Sequence, residues 1–95
     1  MCLAQSSGAN RPDTIVIKNH QFIPPVLNVP AAKKLQITVD NQDPTPEEFE
    51  SFDLDREQVV KGRQKIMVYI GPLKPGKYGY WADYHQDSRG VINAQ

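Results

Sequence analysis

Cysteine is almost missing from this chain of 95 residues. Cys2 is the sole example, so no internal disulfide and no cysteine-based zinc site can form. An excess of either charge is also missing, because 11 basic and 11 acidic side chains cancel to a formal net charge of zero. That balance gives no electrostatic reason to expect a nucleic-acid partner. No apolar run approaches the length that spans a bilayer, so direct membrane insertion is not expected. Ser51 and Ser88 lie in no nucleophile-elbow context, and no glycine-rich phosphate loop occurs. Hydrolase chemistry is therefore poorly supported.

What is present fits one domain with a modest core. The division expected is a polar leader over residues 1–12 and a single domain over residues 13–95. In the leader, Cys2-Leu3-Ala4 before Gln5 suits the small-residue end of a secretory signal. Cys2 equally suits a lipid-attachment site, and a merely flexible tail fits the same residues. The first two readings make the protein exported, with membrane anchoring through Cys2 as one form of that expectation.

Beyond the leader, short alternating stretches are punctuated by proline, glycine and asparagine. Thr14–Lys18 places Ile15 and Ile17 on one face; Leu35, Ile37 and Val39 alternate with Gln36, Thr38 and Asp40. Ile66, Val68 and Ile70 repeat that pattern after Gly62, and Tyr78, Tyr80 and Ala82 form a further candidate face. Val91 to Ala94 supplies a last short stretch. Phe22 to Val29 is broken by Pro24 and Pro25, which suits a bent edge segment. Leu54 to Val60 shows no period and is expected to hold at most a helical turn or a loop. Regular short strands between turn signals indicate an all-β fold, an antiparallel Greek-key sandwich.

Leu73-Lys74-Pro75-Gly76-Lys77-Tyr78 sharpens that expectation. It matches a tyrosine corner, in which the phenol bonds back to the backbone of its own connection. Tyr78 is accordingly expected to be structural.

Charge is unevenly distributed. Between Asp40 and Glu57 the acids Asp43, Glu47, Glu48, Glu50, Asp53 and Asp55 are opposed only by Arg56. Such a run is usually a solvated face, and a few of its members are candidates to serve a cation.

These residues resemble the cupredoxin-like superfamily from Thr14 to Ala94. The resemblance rests on Phe22-Ile23-Pro24-Pro25, Val29-Pro30, Asn41 with Pro44, the tyrosine corner, and His85 followed by Gly90. The Glu47–Glu57 segment together with Ile70–Gly76 is similar to one subgroup, the periplasmic cupredoxin-like proteins associated with bacterial ferrous-iron permeases. The resemblance implies a copper or iron ion, a periplasmic location, and partners among an inner-membrane iron permease and other uptake components. It also implies possible ferroxidase activity, with no catalytic residues separate from the metal site.

The resemblance further implies that the loop after Asn41 and the loop bearing His85 meet at one end of the sandwich. Glu48 is the expected acid partner of His85, and Glu47 replaces it if the strand register slips by one. His20 falls at the same end, and an exposed turn histidine is its equal alternative. Asp83 is a candidate ligand or a group that orients His85, and Asp87 a weaker ligand candidate or turn former. Ala82 stands where a blue-copper protein carries its cysteine, and no methionine follows His85. The expected donors are thus nitrogen and oxygen, which disfavours blue-copper electron transfer. Alternatives that use the same fold are a non-redox copper or iron chaperone and a metal-free sandwich.

Overall fold

The computed structural model describes residues 13–95. The proposed leader over residues 1–12 lies outside the described residues. Nine strands form two sheets: β1 Thr14–Lys18, β2 Gln21–Ile23, β3 Val26–Val29, β4 Leu35–Asn41, β5 Glu47–Ser51, β6 Arg56–Val60, β7 Lys65–Ile70, β8 Gly76–Ala82 and β9 His85–Ala94. One sheet runs β2-β1-β4-β7 and the other β3-β9-β8-β5-β6. Among the described residues there is no helix, and hence none long and apolar enough to cross a membrane.

The period-two pattern builds the core. Ile15, Ile17, Ile37, Val39, Val68 and Ile70 point inward from the first sheet. Leu27, Val29, Phe49, Val60, Tyr80, Ala82 and Ile92 meet them from the second. Phe22, Phe49 and Tyr80 form an aromatic group, with the Phe22 ring edge-on to Tyr80 at a centroid separation of 4.9 Å. Such a sandwich is the architecture expected. Its sheets, however, are mixed rather than purely antiparallel: β1 runs parallel to β4 and β3 parallel to β9.

Pro24-Pro25 explains one of those parallel pairs. Proline cannot donate to a ladder, so the chain leaves the edge of the first sheet after β2 and joins the edge of the second as β3. The tyrosine corner forms as expected, with the Tyr78 hydroxyl donating to the Lys74 carbonyl at 2.7 Å.

Leu54 to Val60 departs from expectation, since Arg56–Val60 is a strand paired with β5. As the edge of its sheet, β6 buries only Val60 and leaves Glu57, Gln58 and Val59 in solvent. An edge strand with charged side chains carries no alternation to read. The chain doubles back after it at Gly62, where a β-carbon would lie 2.2 Å from the Pro44 carbonyl oxygen. Glycine lets this turn pack against the β4–β5 connection.

Candidate metal centre

Asn41, at the end of β4, organises the connection to β5. Its buried amide donates to the carbonyls of Thr45, Val60 and Lys61, while Oδ1 accepts the Asp43 N–H at 3.0 Å. That fold-back is an Asx turn, and it aims Asp43 at the β1–β2 turn. There Asp43 accepts the backbone N–H groups of Asn19 and His20, both at 2.8 Å. Asn19 and His20 adopt φ of 51° and 62°, a left-handed conformation that costs a non-glycine residue about 1 kcal/mol or more. The two Asp43 bonds compensate for that cost, and Ser88 Oγ donates to the His20 carbonyl from β9. His20 is therefore pinned at its backbone.

Burial acts first on Asp43 and would raise its carboxyl. The backbone bonds from His20 and Asn19 and the nearby imidazoles outweigh it and hold the group below its ordinary value.

Glu47 opens β5 with its side chain directed into the sandwich, 1% exposed. Oε1 accepts the N–H groups of Glu48 and Tyr84, each at 3.0 Å, and Oε2 lies 2.5 Å from His85 Nδ1. A buried carboxylate is tolerated only when its oxygens are satisfied in this way. The His20 ring covers that of His85 in a stack, with centroids 3.7 Å apart and planes 18° from parallel. Candidate ligand atoms of His20, Glu47 and His85 all fall within 4.8 Å of one another.

Near-parallel stacked rings keep their in-plane lone pairs in two almost parallel planes. As stacked, the two imidazoles cannot converge on one ion. Glu47 Oε2 and His85 Nδ1 are bonded to each other, so they share an ion only by parting from that hydrogen bond, and His20 joins only if its ring turns about its own side-chain torsions. The fixed backbone allows that rotation without unfolding the turn.

The expected pairing of Glu48 with His85 is corrected by the register of β5. Glu47, Phe49 and Ser51 face inward and Glu48 and Glu50 outward. Phe49 carried the signal, because a strand that buries Phe49 must turn Glu47 to the same side. Glu48 instead joins Glu50 and Asp83 in a second acidic group on the outer face. Desolvation, followed by hydrogen bonding and repulsion among Asp83, Glu57 and one another, raises the carboxyls of Glu48 and Glu50. Asp83 does not orient His85; it accepts from Trp81 Nε1 at 3.3 Å and Gln86 Nε2 at 3.2 Å. Asp87 is exposed on β9 and is not part of the three-residue group.

Asp43 and Ser88, which hold His20, were not apparent from the sequence as parts of the site. Of the two, only Asp43 has a local signal, the Asn41-Gln42-Asp43-Pro44 turn. Ala82, cross-strand partner of His85, is fully buried and brings no donor atom. Two imidazoles and a carboxylate fit copper(II), iron or zinc. They do not fit a thiolate-dependent blue-copper centre.

The sequence profile of the cupredoxin-like domain matches residues 1–94, and the chain belongs to that family. An uncharacterised protein of Rickettsia prowazekii (strain Madrid E) is 46% identical over 74 residues. That alignment takes in 78% of this chain and 59% of the relative, so the chain spans well under two thirds of its length. Among solved structures, a purple cupredoxin from Nitrosopumilus maritimus superimposes with a TM-score of 0.70 at 18% identity, covering 86% of this chain and 98% of its own. Amicyanin from Paracoccus versutus gives a TM-score of 0.71 at 16% identity, covering 94% and 85% respectively. At such identities the likeness establishes the fold.

Proposed function

We propose that this chain is a metal-binding cupredoxin-like protein that takes copper or iron at His85 and Glu47, with His20 as a third donor. The carrying observation is the buried Glu47 carboxylate set against His85 Nδ1 under the His20 ring. Copper is in keeping with amicyanin, a structural neighbour solved in its Cu(I) form. A carboxylate oxygen beside imidazole also suits iron, and stabilises the ferric charge more than the ferrous one.

The physiological setting that accords with the sequence resemblance is periplasmic iron uptake. Ferrous iron would be the substrate, captured near the surface acids and passed to an inner-membrane permease. In an oxidising role, each Fe(II) gives one electron to dioxygen or a membrane redox partner and leaves as Fe(III). Glu47 and His85 would hold the ion, and the half-exposed rings, 44% for His20 and 38% for His85, would admit it. Those exposed rings equally favour a carrier that hands its ion on without redox chemistry.

Calorimetry with Cu(II) and with Fe(II) under anaerobic conditions tests the binding. Glu47→Ala and His85→Ala should each weaken affinity by about tenfold or more while circular dichroism stays native. Unchanged affinity in both variants removes the assignment. Ferrous oxidation faster than the buffer blank separates the oxidase from the carrier.

A further inference from the structure

The candidate centre has few donor atoms to give. Glu47 Oε1 is committed to the N–H groups of Glu48 and Tyr84, and Oε2, bonded to His85 Nδ1, can face an ion only once that bond gives way to the metal. His20 and His85 supply one ring nitrogen each. Both Asp43 oxygens accept backbone N–H groups, and Ser88 Oγ is committed to the His20 carbonyl. Ala82 beside His85 has no donor. Met67 lies on the other sheet with its sulfur against Gln36 and Thr38. Histidine and carboxylate donors at this centre therefore number three among the described residues, even after the His20 ring has turned.

Copper(II) and iron favour about four to six donors. The protein leaves this set incomplete on its solvent side, where both rings are half exposed. We infer that the centre keeps at least one coordination position for a small exogenous ligand, of the class of small anions. The inference rests on the metal-binding reading above and adds to it. A centre closed by protein donors only exchanges electrons through its shell, whereas this one can bind a small reactant directly.

The test uses the full chain loaded with equimolar Cu(II), freed of unbound ion by gel filtration, and titrated with sodium azide. A saturable azide-to-copper charge-transfer band and a shifted EPR spectrum are expected, both reversed by dialysis. Glu48→Gln should give the same response, since Glu48 faces away. Retained copper with absorption and EPR unchanged at large azide excess overturns the open position and leaves metal binding standing. A response lost in Glu48→Gln but kept in Glu47→Gln would place the ligand at the outer acidic group and overturn the assignment. Failure to retain copper at all overturns the metal-site reading itself, and this inference with it.

Discussion

Glu47 and Glu48 are identical in chemistry and adjacent in sequence, yet only one is part of the candidate centre. Strand alternation gives Glu47 a buried seat with three hydrogen-bond partners and gives Glu48 a solvated face shared with other acids. Tyr80 is the opposite case, a buried polar group with no partner. Its hydroxyl has no hydrogen bond among the described residues, and burial drives its ionisation far above the ordinary tyrosine range. The ring lies against Gly90, where a β-carbon would come within 2.4 Å of it, so the phenol has no room to move toward another acceptor on that side. Tyr80→Phe removes the unsatisfied oxygen and keeps the ring. Chemical denaturation should show stability unchanged or increased by up to about 1–3 kcal/mol. A loss of stability would mean that the hydroxyl has a partner in solution.

At the scale of elements, β5 divides two environments. Its inner side bears the candidate centre, and on its outer side Glu50 lies beside its cross-strand partners, Glu57 on β6 and Trp81 on β8. Desolvation first, then the hydrogen bond and repulsion from Glu57, raise the Glu50 carboxyl above the unfolded value of about 4.3. A carboxyl raised in the folded state binds its proton more tightly there, so its ionisation costs stability as pH climbs through that window. Glu50→Gln should therefore raise the melting temperature at neutral pH, and the gain should vanish below the ordinary glutamate range. An equal gain at both pH values would assign the effect to packing.

The same elements show what the sequence could convey. The limits of β1, the alternation of β4 and β7, the break at Pro24-Pro25 and the Tyr78 corner were all readable, because each places apolar or turn-forming residues at fixed spacing. The edge strand β6 was not, since three of its five side chains lie in solvent. Nor was the acid partner of His85 resolved, because its identity depends on the phase of β5, which a single inward phenylalanine decides. The stack of His20 on His85 joins residues 65 positions apart and has no local signal.

At the scale of the molecule, the sandwich brings three connections to one end. The β1–β2 turn carries His20, the β4–β5 connection carries Asp43 and ends at Glu47, and the β8–β9 turn delivers His85. Bonds between them, from Asp43 to the His20 backbone and from Glu47 to Tyr84 and His85, tie those connections into one unit. Two sheets that converge there gather candidate nitrogen and oxygen donors without a thiolate. A crystal soaked with Cu(II) and measured at the copper absorption edge tests this most directly. The expected result is an anomalous peak within bonding distance of Glu47 Oε2 and a ring nitrogen of His85. A peak held only by Glu48, Glu50 and Asp83 on the outer face would contradict it.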